Sequence, residues 1–174
     1  MRFITLFIIM AFLITGCDSF SPDTYTEIID NPPPGQSIAG EATHLTNLAR
    51  SVRQTCGNQS YDAVNNLAWN TQLAEAALAH SQDMASKNYF DHTSPEGENP
   101  GVRISRTGYA AITWGENIAA GYGSVSRVIE GWMESPGHCA NIMNGRFTEF
   151  AVASAENPNS TYGTYWTMVL AAPR

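Results

Sequence analysis

Apolar residues recur along this chain first at helical spacing and then, toward the C-terminus, at the shorter period of strands. Leu45, Leu48, Ala49 and Val52 share one face of residues 41–54, which predicts a first helix, with Gly57 as its stop. Leu73, Ala76, Ala77, His80 and Met84 form a second stripe, and Asn70 or Thr71 is a suitable N-cap for a helix running to about residue 87. A short helix is expected after Pro100. Another should cover about 124–133, where Val125, Val128, Ile129 and Trp132 fall on one face. Ser135-Pro136 reads as the N-cap and first position of a further helix through residue 143. Then the period changes. Residues 150–153 and 165–170 read as strands joined by the turn-rich Asn157-Pro158-Asn159-Ser160 and Tyr162-Gly163, and antiparallel pairing is their simplest arrangement. Residues 112–119 are a third candidate strand. Helices early and strands late predict an α+β domain in which helices cover a small antiparallel sheet.

The beginning of the chain follows neither period. After Met1-Arg2, residues 3–15 form an apolar run that ends in Gly16-Cys17, too short to span a membrane and patterned like a secretory signal. Leu13-Ile14-Thr15-Gly16-Cys17 resembles the bacterial lipobox, which implies cleavage before Cys17 and acylation of its thiol, hence a lipoprotein held at the cell membrane on its periplasmic or extracellular face. Asp18 resembles the inner-membrane retention signal of some Gram-negative lipoproteins. Residues 18–40 carry four prolines, acids and small residues without a period, so residues 17–40 read as a lipidated cysteine plus tether, and 41–174 as the folded domain.

Composition narrows the function. The 174 residues carry nine Lys and Arg against sixteen Asp and Glu, a net charge of -7 that would repel nucleic-acid phosphates, so DNA and RNA are excluded as partners. Apolar content of 43% with 14% charged residues excludes intrinsic disorder. With Cys17 assigned to lipid, Cys56 and Cys139 remain as an even pair in an exported chain, and a disulfide between them is expected. A catalytic thiol at Cys139 served by His138 is the poorer alternative, because neighbours along a helix do not face each other.

The four histidines are unequal. His44 lies opposite an apolar stripe and is expected in solvent, whereas His80 lies on one and is expected as a hydrogen-bonded core residue, with the cleft as its secondary role. His92 sits in a turn after the second helix, and His138 near the start of a short one. His80-Ser81-Gln82-Asp83 lacks the second histidine of a zincin, and Met133 fills the place of the first glycine in a nucleophile elbow around Ser135. The acidic run 91–98 is out of register with a calcium loop, and Gly121-Tyr122-Gly123 is not a phosphate cradle.

Four ordered motifs carry a resemblance: His92-Thr93-Ser94, then Trp114-Gly115-Glu116-Asn117-Ile118-Ala119, then Gly131-Trp132-Met133-Glu134-Ser135-Pro136-Gly137-His138, and finally Tyr165-Trp166-Thr167. Together they resemble the CAP superfamily of cysteine-rich secretory, antigen 5 and pathogenesis-related-one proteins over about residues 42–173. Leu67-Ala68-Trp69-Asn70, the Ala-rich second helix and Cys139 are particularly similar to the bacterial branch. The resemblance implies an α-β-α sandwich with a central cleft lined by two histidines and two acids. Matched by motif, these are His92, Glu116 and His138. Where the eukaryotic pattern has its second glutamate this chain has Ser135, with Glu134 one residue earlier, either a fourth member or a solvated helix-end acid. Trp114 is a candidate wall of the cleft, and Tyr109 and Tyr122 candidate linings of a groove beside it.

Three functions follow. The first is an envelope module whose cleft binds a lipid, glycan, peptide or protein. The second is a metal-assisted hydrolase of peptide or ester bonds, in which His92 and His138 hold zinc and Glu116 acts as base toward metal-bound water, although two histidines fall short of the three protein ligands usual for catalytic zinc. The third is a structural envelope protein whose cleft groups only order loops. The family's activities are scattered, so the fold does not choose among them.

Overall fold

The computed structural model describes residues 37–174. The expected export segment, the expected lipidation site Cys17 and the expected tether up to residue 36 lie outside the described residues. Helices and strands follow the predicted order closely. Helix α1 (Ile38–Arg50) leads to the hairpin β1 (Gln54–Cys56) and β2 (Gln59–Tyr61), then to β3 (Ala68–Trp69), α2 (Thr71–Lys87) and α3 (Pro100–Arg106). Strand β4 (Ala111–Ala120), helices α4 (Val125–Glu134) and α5 (Pro136–Ile142), and strands β5 (Glu149–Glu156) and β6 (Thr164–Pro173) complete the domain.

Boundaries differ at the first helix. It begins at Ile38, within the segment expected to be tether, because the Ser37 hydroxyl accepts from the Gly40 amide and opens the helix early. It ends at Arg50 instead of 54. Val52 is exposed, and Gln54 already pairs with Tyr61 in the hairpin, where Gly57 supplies a positive φ of 63° for the turn. Asn70 caps α2 as expected, its side chain accepting from the Gln72 and Leu73 amides. Ser135 stands before α5 but makes no side-chain capping bond.

The main sheet has the order β3-β5-β6-β4. β4, β6 and β5 are antiparallel neighbours, and the two-residue β3 adds a short parallel edge on β5. Alternation along the strands divides the core into two layers. Phe150, Val152, Trp166, Met168 and Leu170 pack with Leu45, Val128, Ile129, Trp132 and Ile142 from α1, α4 and α5. On the opposite face, Ala151, Val169 and Ala171 pack with Leu73, Ala76, Ala77 and Ile104 from α2 and α3. The result is an α-β-α sandwich, and the alanines of α2 and β5 let helix and sheet approach closely.

Arg50 locks α1 to the far end of the chain. It is fully buried, and its guanidinium donates to the backbone carbonyls of Asn65, Ile142, Asn144 and Phe147. Burial lowers its pKa to about 10. Cys56 and Cys139 form the expected disulfide, which ties the β1–β2 hairpin to α5.

Candidate functional site: a buried glutamate and an aromatic cleft

β4 is an edge strand, and the site is built around it. Glu116 points toward the α2 layer and Asn117 toward the other, since successive strand residues face opposite sides. The free edge is held by side chains from the helices beyond it. Trp132 Nε1 donates to the Ile118 carbonyl at 3.2 Å, and Asn141 Nδ2 to the Glu116 carbonyl at 3.3 Å and to Asn117 Oδ1 at 2.9 Å. Asn117 Nδ2 in turn donates to the His138 carbonyl at 3.1 Å. Thus β4 sets where α5 begins and where His138 sits.

The Glu116 side chain is only 2% exposed, and both of its oxygens are engaged. His92 Nδ1 donates to Oε1 at 2.8 Å, and Arg103 Nη2 donates to Oε2 at 2.8 Å. Arg103 also holds the turn that presents His92, donating to the carbonyls of His92 and Glu98. His80 is fully buried; its Nε2 donates to the Asp91 carbonyl at 3.0 Å and lies 3.8 Å from Glu116 Oε1. A carbonyl can only accept, so Nε2 carries the His80 proton, and buried Nδ1 is left without a partner. His80 is thus a hydrogen-bonded core residue that lies close to Glu116.

The three imidazoles differ electrically. The bond to Glu116 raises the pKa of half-exposed His92, whereas burial lowers that of His80. His138 is lowered by burial first and by the charge of His92 second. Glu134 is exposed at the end of α4 and makes none of these bonds. His44 is exposed on α1.

Beside His138, at the C-terminal end of β4, lies an open cleft of about 310 Å³ walled by Phe90, Tyr122, Gly131, Ser135, His138 and Tyr162 above a floor of Ile118 and Trp132. Tyr122 lines it as expected. Trp114 does not, which corrects the sequence expectation: its ring lies over Gly101 of α3 and borders a separate hollow with Tyr109 and Arg174. Trp114 shares a strand face with Glu116, but its ring packs against α3 at Gly101.

The hydrolase alternative would hold zinc on His92 and His138. With Nδ1 of His92 donating to Glu116, its Nε2 faces away and is the atom available to a metal, a common carboxylate–histidine arrangement. However, among the described residues no group of three or more His, Cys, Asp or Glu side chains is placed to hold a metal. Glu116, the obvious third ligand, is committed to His92 and Arg103. The donor set does not fit a catalytic zinc centre, and no chemical step is derived through one.

A family model for cysteine-rich secretory proteins, CAP, matches residues 43–170. The chain belongs to the cysteine-rich secretory protein (CAP) family. The Bacillus subtilis (strain 168) protein YkwD is 37% identical over 131 residues, which are 75% of this chain and 47% of YkwD. An extracellular protein containing an SCP domain from Bacillus anthracis strain Ames is 30% identical with a TM-score of 0.63, over 87% of this chain and 44% of that one. This CAP domain therefore spans about half the length of those relatives. An outer surface protein from Borrelia burgdorferi, at 15% identity and a TM-score of 0.61, covers 89% of this chain and 97% of its own and shares the fold.

The family resemblance pointed to His92, Glu116 and His138 as cleft residues but not to Arg103 or Asn141, and it gave Gly131 only as part of a motif, with no role. Arg103 lies outside the four ordered motifs, and no local pattern reports that its guanidinium turns inward to Glu116.

Proposed function

We propose that this protein is an exported, membrane-anchored CAP lipoprotein of the cell envelope, and that its cleft binds a ligand without turning it over. The observation that carries this reading is the state of Glu116. A general base must reach substrate or water, yet this carboxylate is buried, with one oxygen on His92 and the other on Arg103. Next to it the open aromatic cleft offers what a binding site requires: apolar walls and a few polar groups. Export is supported by the N-terminal signal pattern and by the extracellular description of the Bacillus anthracis relative. Anchoring is assigned to lipid on Cys17 because Leu13-Ile14-Thr15-Gly16-Cys17 resembles the lipobox.

Metal-assisted hydrolysis is the second reading, favoured by the two imidazoles whose remaining nitrogens are unengaged. Zinc titration by calorimetry, together with peptide and ester turnover assays, separates the two on wild type, His92→Ala and His138→Ala. The binding reading expects no turnover with or without zinc. Zinc-dependent turnover that disappears in both variants would overturn it.

A further inference from the structure

We propose that the cleft beside His138 is a subsite for a neutral oligosaccharide, seated on Tyr122, Phe90 and Tyr162 with its hydroxyls directed at Ser135 and His138. This rests on the binding reading and specifies its ligand class. None of the residues that wall the cleft is Lys, Arg, Asp or Glu, so nothing there selects a charged ligand, and the chain's net charge of -7 repels acidic polymers. The aromatics are left in water. Phe90 is 43% and Tyr162 49% exposed, although large apolar rings are ordinarily buried when they serve only the core.

These rings are also held in place. The Phe90 and Tyr162 rings are 5.8 Å apart, and Tyr162 meets Tyr165 edge-on at 5.9 Å. Asn88, the left-handed cap of α2, accepts from the Thr161 amide and from the Tyr165 hydroxyl, which pins the turn carrying Tyr162 to the turn carrying Phe90. Tyr122 is fixed at its carbonyl by Trp166 Nε1, and its ring lies against α4 where only glycine leaves room: a Cβ on Gly131 would come within 2.7 Å of Tyr122 Cζ. A pyranose ring has an apolar CH face and a polar rim. Such a ligand can stack on fixed aromatic faces while its rim meets the Ser135 hydroxyl, which makes no capping bond, and the His138 imidazole. An acyl chain would gain most from an enclosed apolar sleeve, whereas this cleft is open to solvent and lies at the lower end of the roughly 300–1,000 Å³ of small-molecule sites.

The test is calorimetric titration of the full chain with cellotetraose, maltotetraose and chitotetraose, and separately with a tetra-alanine peptide and phosphatidylglycerol vesicles. We expect saturable binding of at least one tetrasaccharide, weakened roughly three- to tenfold in Tyr162→Ala and in Phe90→Ala. Gly131→Ala, which must displace the Tyr122 ring, should weaken it in the same direction, and Trp114→Ala should leave it unchanged. Thermal melts of each variant separate lost binding from lost folding. Tetrasaccharide binding indifferent to Tyr162, Phe90 and Gly131 overturns the proposal. Binding of the peptide or vesicles alone, lost in those variants, also overturns it but leaves a ligand-binding cleft. If nothing binds, the proposal and the binding reading fail together.

Discussion

At the scale of single residues, the site is a problem of burying charge. Glu116 and Arg103 are 2% and 6% exposed in their side chains, and burying such a pair is costly unless its remaining polar atoms find partners, which both Glu116 oxygens do and Arg103 Nε does not. Removing one partner is worse than removing both. Arg103→Met should therefore destabilise the domain by about 3–5 kcal/mol, and adding Glu116→Gln should recover part of that loss, as read from urea midpoints in a double-mutant cycle. Additive losses would show that the two groups are not coupled. The histidines add a pH dependence with two opposite signs. Glu116 raises the pKa of His92, so the stability from their bond is complete below the unfolded value of 6.5 and is lost as pH rises through the folded value. Burial lowers His80, so its contribution is complete above 6.5 and is lost as pH falls toward its folded value. In urea titrations between about pH 5 and pH 8, His80→Gln should flatten the acid limb and His92→Gln the alkaline one. An unchanged acid limb in His80→Gln would show that another group controls it.

At the scale of elements, most of the fold was legible because periodicity reports burial directly. The stripes of α2 and α4 lie on the faces that pack, and the 150–153 and 165–170 segments are the centres of β5 and β6 in the predicted antiparallel pairing. The strands run longer than their alternation indicates, since pairing with a neighbour extends them past the apolar core. Less legible were β1, β2 and β3, which are short, polar or paired in parallel, and which derive their order from distant partners. The hairpin is an instance: Cys56 reaches Cys139 across 83 residues, and Gly57 packs where a Cβ would meet Pro136 at 3.0 Å. Cys139 follows His138, so this bond also anchors the helix that presents the second imidazole. Replacing both cysteines with alanine should cost about 2–5 kcal/mol, and the largest rise in amide hydrogen exchange should fall in α5 and the hairpin. A rise confined to the hairpin would show that Asn117 and Asn141 suffice to hold α5. Of the site, the residue types at motif positions were legible. The inward turn of Arg103 and the diversion of Trp114 by α3 were not, because both depend on contacts between elements.

At the scale of the whole molecule, the proposed function gives the domain and its N-terminal segment separate tasks. The described residues form an α-β-α sandwich, and none of its helices is long and apolar enough to cross a membrane. In the proposed arrangement membrane attachment comes from acylation of Cys17, where each buried methylene contributes about 0.8 kcal/mol and two chains together hold where one is marginal. The prolines between residues 18 and 40 separate that anchor from the first turn of α1, where Ser37 opens the fold. Cys17→Ser should therefore change location and nothing else. The wild-type protein is expected in the membrane fraction, extractable by detergent but not by high salt, and Cys17→Ser in the soluble exported fraction or, if the signal is left uncleaved, at a larger mass. Its melting temperature and its response to Gly131→Ala should match those of the wild type, because the core clusters of the domain are built from residues 42–171. Salt extraction of the wild type would place the attachment in charge interactions instead of acyl chains. A melting temperature that fell with Cys17→Ser would mean that the anchor and the domain are not independent.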